Sequence, residues 1–323
     1  MVVVRVNTQC ALGCRYCGFS REVHRARPSI DVASLHRFAE ALSELRQRSG
    51  RTVLVSLLGG EPFQWSAWEP VSERLGNLGL RVSATTNGLA LEDPRIAERA
   101  IRLMQEITIS IDGERDHHDT LRSMPGLFDR LERIVRSIAA RRIDRQPLLR
   151  VNSVLTRTNI GNFEAFAHLM ADWGVDQLTF NQLGGNDRPS FYPENRLLEG
   201  QVKRFREDLP RWQSDLQQRG LELCGSEGYL HRIACTARNQ TIAIDDCQPA
   251  TRFLFVDEFG RASPCNFTSD ALGVPIDQLT TAESIESLPE HWRRQRSGHR
   301  PKVCADCHAT HVHAKFVAIA SNR

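Results

Sequence analysis

The sequence predicts an α/β fold built on parallel strands, and three observations carry that expectation. Short β-branched runs alternate with amphipathic stretches from the N-terminus onward, the pattern of βαβ units in a parallel sheet or barrel. Glycine, asparagine and aspartate recur just after each run, at the strand ends where such folds place their chemistry. Near Leu221 the alternation stops and a hairpin pattern replaces it.

A first strand is expected over residues 2–7, followed at once by the loop "CALGCRYCGF" and a helix over 32–48. The second strand, 52–58, ends in "GGEP" and leads to a helix over 67–78. The third, 80–85, ends in "TNG" before a helix over 94–105. The fourth, 106–111, ends in "SIDG", with a helix over 127–142. The fifth, 148–155, ends in "TRTN" before a helix over 162–173, and the sixth, 177–182, ends in "NQLGGND". A polar helix over 199–219 closes this part. Any one of these turns reflects the ordinary preference of βα loops for Gly, Asn and Asp. Six in phase with a cysteine cluster mark a rim. Beyond Leu221, "TRFLFVDEFGRASPC" reads as a hairpin turning at "DEFG", so a second, smaller domain is expected over 222–323, after a first over 1–221.

Composition narrows the function. A chain of 323 residues with 41% hydrophobic content can bury a large core, and its net charge of +3 gives no warrant for a nucleic-acid partner. No run of about 18 apolar residues occurs, so no membrane span is expected. The N-terminus lacks the basic start, long apolar core and cleavage site of a secretory signal. The expected location is cytoplasmic, where thiols stay reduced. Lys203, Lys302 and Lys315 are the three lysines among 42 basic residues. Nine cysteines in such a chain point to metal or redox chemistry before disulfides.

Those cysteines divide into three groups. Cys10, Cys14 and Cys17 share one loop; Cys247, Cys265, Cys304 and Cys307 lie in the last quarter; Cys224 and Cys235 stand apart. Thiolates are the usual ligands of iron–sulfur clusters, and a closed cubane takes four. A loop with three leaves one iron open for a substrate or cofactor, as the open position of a catalytic zinc site does.

The C-x-x-x-C-x-x-C loop after the first strand, with Tyr16 before its last cysteine and "GGEP" after the second strand, resembles the radical S-adenosylmethionine superfamily. The resemblance covers residues 1 to about 190 and implies a partial (β/α)6 barrel. It implies a 4Fe–4S cluster on Cys10, Cys14 and Cys17, whose open iron is chelated by the amino and carboxylate groups of S-adenosylmethionine. Gly59, Gly60 and Glu61 match the motif that binds the methionine amine: glycine lets backbone approach closely, and a carboxylate accepts from an amine. Ser110 and Asp112 of "SIDG" are expected near the ribose. Arg122 is expected to pair with the methionine carboxylate, an arginine fork suiting that group, against the alternative of a solvated helix residue. Asn87 and Asn152 serve either the cofactor or the sheet ends.

The resemblance extends to the C-terminal cysteines. Cys247, Cys265 and Cys304-x-x-Cys307 resemble the twitch domain, a shortened relative of the SPASM domain, and imply a second 4Fe–4S cluster. A zinc ribbon on the same four thiols is the alternative. His308, His311 and His313 are expected on a solvated end. The implied chemistry is hydrogen abstraction from an unactivated C–H bond by a 5′-deoxyadenosyl radical, with a one-electron donor such as flavodoxin or ferredoxin as partner. If an auxiliary cluster accepts an electron the outcome is oxidation or dehydrogenation. If Cys224 or Cys235 returns hydrogen it is epimerisation, although unligated cysteine is usually a small buried hydrophobe.

The expected substrate is a small polar metabolite, sugar or aminocyclitol-like, because the chain begins at its first barrel strand with no room for a leader-recognition domain. A ribosomally made peptide is the alternative. Asn181, Gln182, Asn186 and Asp187 at the sixth strand end suit hydroxyl or amine recognition or simple backbone capping. A non-catalytic iron–sulfur or zinc scaffold is the reading from another class, and the open three-cysteine site with Glu61 stands against it.

Overall fold

The computed structural model describes residues 1–185 and 187–319. Asn186, one of the expected rim residues, lies outside them. The six expected strands form: β1 (Val2–Arg5), β2 (Leu54–Leu58), β3 (Arg81–Thr86), β4 (Glu106–Ser110), β5 (Leu148–Leu155) and β6 (Gln177–Gln182). They lie side by side in chain order, every neighbouring pair parallel. The helices between them are α1 (Val32–Ser49), α2 (Trp68–Asn77), α3 (Pro94–Leu103), α4 (Arg115–Arg122), α5 (Leu127–Arg141) and α6 (Phe163–Asp172). After β6 come α7 (Tyr192–Asn195), α8 (Glu199–Gln218), β7 (Glu222–Leu223) and α9 (Glu227–Ala237). The sequence reading missed β7, α4, α7 and α9. Two residues carry no periodicity, and "RDHHDTLR" has too few apolar positions to show a helical stripe.

Local chemistry sets the boundaries. Asp31 accepts a hydrogen bond from the Ser34 amide at 2.8 Å and so caps α1, which Gly50 ends in the left-handed region at φ 67°. Asp93 caps α3, with Pro94 at its first position.

Beyond β7 the expected hairpin forms from β8 (Leu254–Val256) and β9 (Arg261–Ser263), with β10 (Val274–Pro275) beside it. β8 runs parallel to β1, giving one ten-stranded sheet ordered β10-β9-β8-β1-β2-β3-β4-β5-β6-β7. Among the described residues no helix is long and apolar enough to cross a membrane.

Strand parity decides which residues reach the site. In β5, Leu149, Val151, Ser153 and Leu155 are buried, and in β6 Phe180 packs edge-on to Phe163 of α6 and Phe205 of α8. That face belongs to the helices. Arg150 and Asn152 of β5, and Gln177, Thr179 and Asn181 of β6, therefore take the other, concave face.

Candidate active site

The loops after β1 and β2 are bound to each other. The Gly60 amide donates to the Asn7 carbonyl at 3.0 Å, and the Glu61 amide to that of Gln9 at 2.7 Å. A Cβ on Gly59 would lie 2.4 Å from Asn7 Oδ1, and one on Gly60 2.2 Å from the Gln9 carbonyl oxygen. Both glycines are needed for this approach of backbone to the entry of the cysteine loop. Glu61 is 1% exposed and fully engaged: Oε1 accepts from the Phe63 amide (3.1 Å) and Thr86 Oγ1 (2.7 Å), and Oε2 from the Asn87 amide (2.8 Å). The carboxylate thereby ties the ends of β2 and β3 together beneath the cysteine loop.

The three thiols lie within electrostatic reach of one another. Burial, above all, raises each of them, the Arg122 charge opposing it at Cys14, and Cys17 is pushed up to about 11. Three thiolates in this position need compensating cations, which a set of iron centres supplies. Two donors from elsewhere in the chain already point at the sulfurs: Asn87 Nδ2 lies 3.6 Å from Cys10 Sγ, and Arg122 Nη1, on α4, 3.9 Å from Cys14 Sγ. The donor set fits a cluster.

Asp112 and Arg122 form a second unit. Arg122 sits on the last turn of α4 but is 7% exposed, so it is not a solvated helix residue. Its Nε donates to Asp112 Oδ2 at 2.6 Å, and Tyr16 Oη donates to the same oxygen at 3.0 Å. Asp112 Oδ1 accepts from the Val154 amide at 2.8 Å. Burial works against the Asp112 carboxylate, yet Arg122 holds it below the usual range. Asp112, 0% exposed, fixes Arg122 and Tyr16 against the cysteine loop. Ser110, at the end of β4, is half-buried.

On the concave face a polar ladder runs across four strands. Arg150 Nη1 pairs with Glu106 at 2.9 Å, Arg150 Nη2 donates to Gln177 Oε1 at 2.6 Å, and Gln177 Nε2 donates to Glu222 at 2.6 Å. These are first or early residues of their strands, so the ladder lies at the end of the sheet opposite the cysteine loop. Between the two is a residue the sequence reading passed over. Lys315, 5% exposed, donates to Asn152 Oδ1 at 2.7 Å and Asn181 Oδ1 at 2.9 Å. Asn152 therefore belongs to this interior, with Thr179 and Asn181, and not to the cysteine loop. Cys224 follows β7 on the same side and is buried; burial pushes its thiol up to about 12, so it keeps its hydrogen. Cys235 lies on α9, 3.7 Å from His231 Nε2 and away from this group.

Residues 4–170 match the model of the Radical SAM superfamily. The chain belongs to the radical SAM superfamily. Membership implies a 4Fe–4S cluster and S-adenosylmethionine. An AdoMet-dependent heme synthase of Methanosarcina barkeri is 22% identical over 334 residues, 96% of this chain and 91% of that one. Another heme synthase, from Oleidesulfovibrio alaskensis, is 23% identical over 176 residues. That match spans 54% of this radical SAM chain and less than half, 43%, of the relative. Among solved structures, anSMEcpe with bound AdoMet and Cp18Cys peptide superposes with a TM-score of 0.65 at 17% identity, covering 98% of this chain and 87% of that one.

In this radical SAM protein the C-terminal cysteines line one cavity. Cys247, Cys265, Cys304 and Cys307 surround about 470 Å³ of empty space, partly open to solvent, together with Phe267, Arg296 and His308. Arg296 Nη1 lies 3.3 Å from Cys247 Sγ, and Thr268 Oγ1 3.5 Å from Cys265 Sγ. Burial raises the Cys247, Cys265 and Cys307 thiols, with neighbouring thiols adding to it. Among the described residues no three His, Cys, Asp or Glu side chains are grouped as ligands of a single ion.

The histidine segment is not a solvated end. His311 stacks on Phe253 with ring centroids 4.0 Å apart, and burial lowers it to about 4. His313, 8% exposed, has Nε2 3.0 Å from the Cys307 carbonyl oxygen, and His308 Nδ1 lies 3.3 Å from Gln182 Nε2. This segment carries Lys315 into the interior and adds a parallel bridge, Gly225 to Ala318, beyond the edge strand β7. One sequence signal pointed there: a lysine retained in a chain whose basic residues are nearly all arginine.

Proposed function

We propose that this protein is a two-cluster radical S-adenosylmethionine oxidoreductase acting on a small polar metabolite, sugar or aminocyclitol-like, with residues 222–323 forming a twitch-like domain. The gathering of Cys247, Cys265, Cys304 and Cys307 around one cavity carries this reading. When bound, the first cluster and S-adenosylmethionine supply a carbon radical that removes hydrogen from an unactivated C–H bond, and a second cluster supplies an electron sink. Cys10, Cys14 and Cys17 would hold the first cluster, with Asn87 and Arg122 donating to its sulfurs; the four C-terminal cysteines would hold the second. Gly59, Gly60 and Glu61 hold the loop that borders the cofactor. The concave face, lined by Asn152, Thr179, Asn181 and Lys315, offers hydroxyl- and amine-matching groups to a substrate.

The place of Cys224 supports a second reading. A thiol that keeps its proton on the concave face can return hydrogen to a substrate carbon, which yields epimerisation. Peptide is the competing substrate class, supported by the peptide bound in anSMEcpe, and the named activity of the two relatives adds heme synthesis.

Iron, sulfide and zinc content after anaerobic reconstitution test the reading, with S-adenosylmethionine cleavage under reducing conditions. About eight irons, no zinc and formation of 5′-deoxyadenosine are expected. Zinc in the C-terminal site would remove the electron acceptor and move the redox-neutral reading ahead. No cleavage would leave a scaffold. In the epimerisation reading, solvent deuterium enters the product and Cys224→Ala stops that incorporation; in the oxidation reading the same variant leaves the product unlabelled and formed.

A further inference from the structure

Lys315 is the buried cation of the concave face that has no acidic partner among the described residues. Nζ donates to Asn152 Oδ1 and Asn181 Oδ1, both of which are acceptors held in place by others: Asn152 Oδ1 also accepts from Thr179 Oγ1 at 3.0 Å, and Asn181 Oδ1 from Tyr229 Oη at 3.3 Å. The groups around the amine are Arg150 from β5, already paired with Glu106, the Cys224 thiol after β7, Tyr229 from α9 and the Phe316 ring, 5.1 Å from Nζ. Among the described residues no carboxylate pairs with Nζ. Two hydrogens are directed at the asparagines, which leaves one tetrahedral position on the nitrogen. Burial lowers this amine from the ordinary lysine range to about 7, so near neutral pH that position is a lone pair in a large fraction of molecules.

We propose that Lys315 is the proton acceptor of the oxidation, its amine taking the hydroxyl proton from the substrate carbinol on the concave face. This rests on the oxidation reading given above. The substrate C–H hydrogen atom leaves to the nucleoside radical. The O–H bond breaks as its proton bonds to Nζ, the C–O bond becomes C=O, and the remaining electron passes to the oxidised second iron–sulfur cluster. One hydrogen atom, one proton and one electron account for the conversion of an alcohol to a carbonyl. The substrate class is then a secondary alcohol, as in a polyol or amino-polyol. Asn152 and Asn181 aim the lone pair, and the ladder of Glu106, Arg150, Gln177 and Glu222 closes the face below it.

A chain with three lysines makes the test direct. Reconstituted holoenzyme is treated anaerobically with glycolaldehyde and cyanoborohydride between pH 6 and 9, and the hydroxyethyl groups are located by peptide mass spectrometry. At pH 7, Lys315 is expected to react at least about tenfold faster than Lys203, which is 76% exposed, because an ordinary solvated lysine is almost wholly protonated there. Its rate is expected to level off above about pH 8. Two outcomes overturn the proposal. Lys315 inert throughout while Lys203 reacts would show a sealed, purely structural amine. Lys315 rising tenfold per pH unit alongside Lys203 would show an ordinary ammonium. Cleavage of S-adenosylmethionine by the same preparation is scored separately, so failure of the radical reading cannot be mistaken for failure of Lys315.

Discussion

Cys10, Cys14 and Cys17 share one loop between β1 and α1, whereas Cys247, Cys265, Cys304 and Cys307 come from three segments that meet only in the folded chain. The first group is set into a scaffold of buried Glu61, Thr86, Asn87, Asp112 and Arg122 with the partly buried Tyr16. The second is half-buried and has lighter support, chiefly Arg296 on Cys247 and Thr268 on Cys265. A site on the strand ends of a parallel sheet inherits the rigidity of that sheet. A site made from connecting segments holds together by its own contacts and by whatever it binds.

The largest effect separates the two groups outright. Replacing Cys10, Cys14 and Cys17 together by alanine is expected to abolish cleavage of S-adenosylmethionine while leaving about four irons on the protein. Loss of all iron would show that the second site depends on the first.

Arg122→Ala comes next, because it leaves the Asp112 carboxylate buried without its partner. Urea unfolding is expected to show a loss of about 3–5 kcal/mol. A loss below about 1 kcal/mol would mean that Tyr16 and the Val154 amide suffice for the carboxylate.

The same scaffold has a pH dependence. His118 is fully buried, its Nδ1 accepts from the Asp112 amide, and burial lowers it to about 3. A folded-state value below the unfolded one means that the unfolded chain binds more protons between the two. Stability is therefore present above about pH 6.5 and falls as pH drops toward 3, by up to about 1.4 kcal/mol per unit. His118→Gln keeps an acceptor there and is expected to flatten that slope; an unchanged slope would assign it elsewhere.

In the second region, Arg232 is 1% exposed and bonds to Asp306, Thr236 and the Gln240 carbonyl. Arg232→Ala frees Asp306, which is one-third exposed and can turn to water. A loss of about 2 kcal/mol is expected, with lower iron in the second site and unchanged cleavage at the first. Equal damage at both sites would erase the distinction. The smallest effect is at Arg37, which meets Asp277 across the surface between α1 and the C-terminal region, both about half exposed. Arg37→Ala is expected to leave thermal unfolding unchanged, as exposed pairs of this kind do.

The two regions were also unequally legible. The six parallel strands and their helices were readable to within a few residues, since period-2 and period-3.6 patterns are local. So was the cysteine loop, whose spacing is itself the motif. The role of "GGEP" was legible in kind but not in object: the glycines allow a close approach, and what approaches is the backbone of Asn7–Gln9. Asp112 and Arg122 were singled out, but their pairing with each other was not legible, because it joins the end of β4 to the far end of α4. The histidine segment was taken for a solvated end rather than a ligand set, yet it packs on Phe253 and Cys307.

By itself the sequence determined the sheet, its direction, and the three-thiol loop at its rim, because hydrophobic period and cysteine spacing act over a few residues. Tertiary structure decided which carboxylates and cations were already spent on each other, and that a lysine near the C-terminus reaches the concave face. Burial and pairing depend on residues far apart in the chain, 163 positions for Lys315 and Asn152, and no local pattern encodes such a contact.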